Sequence, residues 1–248
     1  MLSTDPRKKA LITGAAGVTG LATAKALEED GYTVLLADIA AGDLESKCSA
    51  LGSAAHPVIL DVSNPQQVAD VSAAIRKEFG PISVLVNNAG VLSNNKAEAT
   101  TVEEWRRILS INLDGAFFLS REFLPGMKKM RWGRIVNVCS LAMKTGGLTA
   151  GTAYTASKGG LAALTFSLAR EFAPFGVTVN GISPAYIKTP MITDFLTAAQ
   201  QQRLLEQIPV GRFCEPEEVA NVVQFLVSPL SGFITGEIID INGGLHMD

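Results

Sequence analysis

The stretch Lys9-Ala-Leu-Ile-Thr13-Gly-Ala-Ala-Gly-Val-Thr-Gly20 decides the fold. Lys9 to Thr13 is a short apolar run of strand length, and a helix-period segment follows near residues 20–30. Between them stand Gly14, Gly17 and Gly20. Small residues at such a junction let the backbone turn tightly and bring amide N–H groups to an anion at the helix N-terminus. Glycines would also serve a plain strand-to-helix turn. Their place after a first strand and before a helix favours the diphosphate of a dinucleotide. Gly14, Gly17, Val18 and Thr19 are the candidate contacts.

Outward from this turn, strand-like runs alternate with helical ones. Thr33–Asp38, Pro57–Asp61, Val84–Asn87, Arg134–Val138, Val177–Asn180 and Glu237–Asp240 are nearly continuously apolar, as strands covered on both faces must be. Helices are expected near 20–30, 42–51, 65–79, 103–130, 153–173 and 216–228, with Pro65 and Pro216 in first turns, where the missing N–H costs nothing. Right-handed crossovers leave one main solution: an α/β Rossmann fold, a doubly wound seven-stranded parallel sheet with helices on both faces. No repeat or linker-like shift divides the chain, so 1–248 is expected to be a single domain.

Composition narrows the function. Of 248 residues, 47% are apolar and 18% charged, which excludes disorder. A net charge of −3 leaves no basic footprint for nucleic acid or anionic lipid, and the cluster Lys128, Lys129, Arg131, Arg134 is too short to supply one. Cys48, Cys139 and Cys214 are scattered without CxxC spacing, and His56 and His246 form no paired ligand set. No metal site is expected. The polar N-terminus lacks an apolar signal core and no run of 18 apolar residues follows, so a cytoplasmic protein without membrane contact is expected. The segment Ala153–Phe172 is apolar nearly all round, with Leu161, Leu164, Leu168 and Phe172 on one side and Ala162, Ala163, Phe166 and Ala169 on others. One side faces the sheet and the other calls for a partner subunit.

Asp38 closes the second strand, with Ile39 beside it. In this fold such a carboxylate accepts hydrogen bonds from the adenosine ribose of NAD. The 2′-phosphate of NADP would meet it as a like charge, at about 1 to 4 kcal/mol for ~4 Å depending on screening. That is a preference of roughly ten-fold to a thousand-fold. The adjacent Ala16, Ile39 and Ala40 offer no compensating cation, so NAD is the expected cofactor. An Asp38 that merely caps the next helix is the plainer alternative.

Further along stand Asn87-Asn-Ala-Gly90, Ser110-Ile-Asn112-Leu, Ser140, Tyr154-x-x-x-Lys158 and Pro184-Ala-Tyr-Ile-Lys-Thr-Pro190. With the glycine turn they make the chain resemble the short-chain dehydrogenase/reductase family over almost its whole length. The resemblance implies a nicotinamide cofactor and a homotetramer or homodimer. It implies Tyr154 as catalytic acid/base, Lys158 as its helper, Ser140 as the group orienting the substrate oxygen, and Asn112 as anchor of a water in a proton relay. It further implies Asp61 and Val62 at the adenine, Asn88, Ala89 and Gly90 along the ribose and central sheet, and Pro184, Ile187 and Thr189 at the nicotinamide. Physical chemistry supports the central pair independently. Residues four apart on a helix share a face. A phenol becomes a useful base only where its anion is favoured, and a nearby ammonium favours it. Ser140 ends a strand at the carboxyl edge of the sheet, where its hydroxyl can donate to an oxygen gathering charge.

Departures from the family pattern are informative. The usual TGxxxGxG reads TGxxGxxG here, with Val18 where a glycine is common, a spacing that resembles the family's extended branch. Ala185 replaces a glycine after Pro184, Cys139 stands where a second serine is frequent, and the Ser140–Tyr154 interval is one residue longer than the commonest spacing. A lid is expected near 190–212, apolar inside through Met191, Ile192, Phe195 and Leu196, then helical from Ala198 to Gln207. Leu141, Met143 and Leu148 would complete a largely apolar pocket for an alcohol or ketone, with a sugar as the alternative substrate.

The main expectation is NAD-dependent interconversion of a secondary alcohol and a ketone. A second is 3-oxoacyl-(acyl carrier protein) reductase, to which the chain is broadly similar. Arg131 matches one basic carrier-docking position of that branch, Phe175 occupies the other, and Asp38 disfavours the NADPH such reductases normally use. A third, from another class, is a non-catalytic dinucleotide-sensing protein on the same fold.

Overall fold

A computed structural model describes residues 5, 8–190 and 197–247. Among them, seven parallel strands form one sheet in the order β3-β2-β1-β4-β5-β6-β7. They are β1 (Lys9–Thr13), β2 (Thr33–Asp38), β3 (Ala55–Ile59), β4 (Val84–Asn87), β5 (Gly133–Val138), β6 (Val177–Pro184) and β7 (Ile238–Ile241). Helices α1 (Val18–Glu29), α2 (Ala41–Leu51), α3 (Pro65–Phe79), α4 (Val102–Leu109), α5 (Gly115–Met130), α6 (Ala142–Thr145), α7 (Thr152–Phe172), α8 (Ala198–Leu205) and α9 (Pro216–Val227) connect them.

Alternation along each strand sends side chains to two cores. Ala10, Ile12, Val34, Leu36, Val136 and Ile182 pack under α1, α2 and α9 through Leu27, Leu44 and Val223. Leu11, Leu35, Leu85, Ile135 and Val179 pack under α3, α5 and α7 through Ile75, Phe123 and Leu168. The order reverses between β1 and β4, which opens a crevice at the carboxyl ends of those strands.

Three differences from the sequence expectation have physical causes. β3 lies two residues earlier than expected, pairing Asp38 with Ile59, so Asp61 leaves the sheet. Pro57 is tolerated inside it because β3 is an edge strand. Asp61 heads the turn into α3 instead, accepting from the Ser63 amide at 2.9 Å while its own N–H donates to Gln67 Oε1 at 2.8 Å. β6 runs on to Pro184, because β7 continues alongside it as far as Ile241. The expected 103–130 helix is broken by a π-helical turn at Ser110–Asp114, which redirects Asn112 inward. On α7, Leu161 and Leu168 are buried whereas Phe166 remains half exposed. The lid residues Met191, Ile192, Phe195 and Leu196 lie outside the described residues.

A buried polar chain ties the layers together across the sheet centre. Asn87 Nδ2 donates to Asn137 Oδ1 at 2.8 Å, Asn137 Nδ2 to Thr165 Oγ1 at 2.8 Å, and Thr165 Oγ1 to the Leu161 carbonyl at 2.8 Å. It joins β4, β5 and α7 away from water. Asn137→Leu is expected to destabilise by about 2–4 kcal/mol, since each orphaned buried group costs roughly 1–3 kcal/mol. A fall in the urea midpoint at unchanged slope checks this, and an unaltered midpoint contradicts it.

Candidate functional site

The crevice is a cleft of about 370 Å³ at the carboxyl ends of the strands. Gly14, Gly17, Thr19, Asp38, Ile39, Asp61, Val62, Asn88, Ala89 and Gly90 line it, all of them candidates from the sequence. Gly20, the third glycine of the turn, lines it too, as do Leu60, Val91 and Ile111, which carried no signal of their own. Val18, Asn112, Ser140, Tyr154, Lys158, Pro184, Ile187 and Thr189 are not among the lining residues.

The glycine turn is shaped by close approach. Gly14 has φ of +63°, and a Cβ there would sit 2.8 Å from Ala89 Cα. A Cβ on Gly20 would lie 2.5 Å from the Gly14 carbonyl oxygen and 2.8 Å from Ala15 Cα. The shifted spacing makes Gly17 the N-cap of α1 and Val18 its first residue, with the Val18 side chain facing outward. The Thr13 hydroxyl accepts from the amides of Asn88 and Ala89 at 3.0 and 2.9 Å. Asn88 Nδ2 donates to the carbonyls of Thr13 and Gly14 at 2.8 and 3.1 Å. Asn88 therefore spends its side chain on bracing the turn against β4.

Asp38 faces the same turn. Its Oδ2 accepts from the Ala16 amide at 2.9 Å and its Oδ1 from the Ala40 amide at 3.1 Å. The opposite end of the Ala16 residue is held by a cation that no neighbouring position suggested: Lys47 Nζ, from α2, donates to the Ala16 carbonyl at 2.8 Å. The positions adjacent to Asp38 carry no cation, and Lys47, on the far side of Ala16, also pairs with Asp43 at 3.7 Å. Only the fold brings Lys47 to the turn, across 31 residues of chain.

At the other end of the crevice α7 carries Tyr154 and Lys158. Lys158 Nζ stands 5.7 Å from the centre of the Tyr154 ring and donates to the Val138 carbonyl at 2.7 Å. Lys158 is only 3% exposed, and Ser140 follows Val138 by two residues. Lys158 thus reaches the end of β5, two residues before Ser140. The Ser140 hydroxyl accepts from the Ala142 amide at 3.2 Å, which leaves its proton available to a further acceptor. A Cβ on Gly90 would lie in ordinary contact, 3.4 Å from both Lys158 Nζ and Asn112 Oδ1, so the Gly90 backbone stands beside both side chains. Asn112 is buried and fully committed. Its Oδ1 accepts from the Val91 amide at 2.8 Å, and its Nδ2 donates to the Val91 carbonyl and to Ser157 Oγ, both at 3.0 Å.

Pro184 ends β6 and accepts from the Leu141 amide at 3.1 Å, coupling it to the segment after Ser140. Ile187 pairs with Cys214 in an isolated bridge. Thr189 is half buried beyond it. Burial pushes the Cys139 thiol up to about 11 against the opposing charge of Lys158, so this cysteine is an inert small side chain near neutral pH. Burial, then the Glu218 charge, raise Cys214 to about 11 as well. Among the described residues no cluster of three or more His, Cys, Asp or Glu is arranged to hold a metal, and no helix is long and apolar enough to cross a membrane.

A Rossmann-type sheet with a glycine-lined cleft at its switch point defines a dinucleotide-binding α/β class. A family model described as Enoyl-(Acyl carrier protein) reductase matches residues 14–246. The chain is 41% identical over 241 residues to the 3-oxoacyl-(acyl-carrier-protein) reductase FabG of Vibrio cholerae, covering 97% of this chain and 98% of the relative. It is 38% identical over 242 residues to the enzyme of that name from Escherichia coli, with 97% and 98% coverage. It is 39% identical over 237 residues to an acetoacetyl-CoA reductase of Rhizobium meliloti, with 96% and 98% coverage. The chain belongs to the short-chain dehydrogenase/reductase family, oxidoreductases that bind a nicotinamide dinucleotide.

The glycine turn admits a direct test. Gly20→Ala drives a Cβ into backbone that cannot swing aside, and dinucleotide affinity is expected to fall about tenfold or more. Quenching of protein fluorescence by the reduced dinucleotide reads this, and wild-type affinity in the variant would contradict it.

Proposed function

We propose that the protein interconverts a secondary alcohol and a ketone by reversible hydride transfer, with NAD(H) preferred to NADP(H). The observation that carries this reading is the Lys158 ammonium, buried against the Val138 carbonyl and set beside the Tyr154 ring. The residues fit the cofactor: the glycine turn is a cradle that side chains would fill, and Asp38 stands at its rim. Gly14, Gly17, Val18 and Thr19 would take the diphosphate and Asp38 with Ile39 the adenosine ribose. Asp61 and Val62 would take the adenine, Asn88, Ala89 and Gly90 the strand ends beneath, and Pro184, Ile187 and Thr189 the nicotinamide end. When bound, the nicotinamide supplies or accepts the hydride.

The chain's own residues handle the proton. In the oxidative direction Tyr154 takes the hydroxyl proton as a phenolate, and Lys158 favours that anion by its charge. Ser140 donates to the substrate oxygen and holds it in place. Asn112, its side chain spent on Val91 and Ser157, keeps Gly90 against Lys158 and supports return of the proton through water.

The cofactor preference rests on Asp38. A carboxylate facing a 2′-phosphate costs about 1 to 4 kcal/mol at ~4 Å. Lys47, on the far side of Ala16, is itself paired with Asp43 at 3.7 Å and so offsets little of that. The expected preference is therefore about tenfold or more.

A second reading, reduction of a 3-oxoacyl group carried on an acidic protein, is favoured by a surface observation. Phe175 replaces one docking cation, but Lys128 Nζ lies 4.0 Å over its ring and the Arg131 guanidinium 6.0 Å from it. Two cations therefore frame Phe175. The named relatives point the same way. A non-catalytic sensor would bind NADH and turn over nothing.

Assay of NADH and NADPH against small ketones and carrier-linked 3-oxoacyl groups tests these readings together. A higher kcat/KM with NADH is expected, with turnover abolished and NADH binding kept in Tyr154→Phe. Better use of NADPH overturns the cofactor assignment, retained turnover removes Tyr154 from the mechanism, and tight NADH binding without any turnover supports the sensor.

The chain is further proposed to act as one catalytic domain in a homotetramer, or a homodimer, in the reducing cytoplasm that its three free thiols suit. Two sets of exposed apolar side chains support assembly: Trp105, Phe117 and Phe166 on α4, α5 and α7, and Phe225, Leu230 and Phe233 at and beyond the end of α9. Sedimentation at micromolar concentration is expected to give an oligomer, and a lone monomer overturns this.

A further inference from the structure

The helix that carries Tyr154 begins in an unusual way. Gly151 is the N-cap of α7 and offers no side-chain bond. The first amides of a helix need partners, and here a distant loop supplies them. The Gly151 amide donates to the Ser93 carbonyl at 2.6 Å and the Thr152 amide to the Asn95 carbonyl at 3.0 Å. A Cβ on Gly151 would lie 2.5 Å from the Asn95 oxygen and 2.8 Å from that of Ser93, so the two loops touch backbone to backbone.

Lys96 closes the junction. Its Nζ donates to the Gly147 carbonyl at 2.6 Å and to the Ala150 carbonyl at 2.7 Å. Both acceptors belong to the loop between Ser140 and Tyr154. Gly147 has φ of +77°, and a side chain there would strike Thr155 Oγ1. The lysine loop is itself anchored at two points. Glu104 accepts from the Ser93 hydroxyl and from Asn95 Nδ2, and Asn112 grips Val91 by both its amide and its carbonyl. Thr149, also in the clamped loop, reaches Tyr186 at 3.5 Å, and Leu148 presents an exposed apolar side chain.

We propose that Lys96 is a positioning residue for the carbonyl substrate: its ammonium pins residues 146–150 and so fixes how Tyr154 and Ser140 face the substrate oxygen. This rests on Tyr154 acting as the acid/base. Charge-assisted bonds are roughly twice as strong as neutral ones, and a single ammonium making two of them to one loop removes that loop's freedom. The clamp touches neither the glycine turn nor Asp38. Its loss should therefore fall on the substrate and spare the cofactor.

Full-length Lys96→Met and Lys96→Arg variants test this with three readouts: hydrogen exchange of residues 146–153, steady-state kinetics with a ketone, and NADH affinity. In Lys96→Met, exchange in 146–153 is expected to quicken and kcat/KM to fall about tenfold or more, as small misplacements of reacting groups do, with NADH affinity unchanged. Lys96→Arg, which keeps the charge and the donors, is expected to recover most of the loss. Unchanged exchange or unchanged kcat/KM in Lys96→Met overturns the proposal. So does a parallel loss of NADH affinity, which marks a merely structural part. A wild-type protein that binds NADH yet reduces no carbonyl overturns the acid/base role of Tyr154 instead, and exchange then decides the clamp alone.

Discussion

The structure depends on an ammonium, that of Lys158, held out of water with no carboxylate among the described residues paired with it. Burying a charge costs several kcal/mol even after relaxation, so the surroundings of Lys158 have to be built for it. The Val138 carbonyl accepts its bond, the Tyr154 ring lies beside it, and the Gly90 backbone closes the other side. Each condition constrains a different element. β5 must end where Val138 can turn its carbonyl to α7, and the turn after β4 must carry Gly90 past the ammonium. The helix α7 must lie against the sheet at a fixed rotation, which Leu161 and Leu168 secure by packing and Thr165 by its bond to Asn137.

The polar groups buried in the carboxyl half of the sheet follow from that demand. Apolar packing alone tolerates small slides of helix over strand, whereas a hydrogen bond between buried amides does not. Asn87, Asn137 and Thr165 lock β4, β5 and α7 in register, while Thr13 and Asn88 lock β1 to β4 at the cleft. The π turn serves the same end. An unbroken helix would carry Asn112 past Val91, and the extra residue in the turn returns its amide to Val91 and Ser157 at once.

How far this was legible in the residues follows from the range of the forces involved. β1, β2 and β4 match their apolar runs, because burial on both faces leaves a local trace. β3 does not, since an edge strand is half exposed and Pro57 made its start look like a boundary. The break at Ser110–Asp114 was hidden because the residues flanking it keep helical periodicity on both sides. Tyr154, Lys158 and Ser140 were legible only in combination, each being commonplace alone. Lys47 and Lys96 were not legible at all: their bonds span 31 and more than 50 residues, and a lone lysine in a polar stretch is indistinguishable from a solvated one until the fold places it.

Lys47 also bears on the turn that Asp38 faces. The acid at the end of β2 reaches the Ala16 amide, and the cation on α2 reaches the Ala16 carbonyl, so opposite charges hold the two ends of one residue. That arrangement depends on the shifted glycine spacing, which makes Gly17 the helix cap and leaves Ala16 half-buried just before it. The Lys47 charge is shared with Asp43 at 3.7 Å, so Asp38 keeps most of its negative character toward an approaching 2′-phosphate. The proposed discrimination between the two dinucleotides would therefore depend on β2 and on the seating of α2, which Leu44 and Cys48 fix in the core.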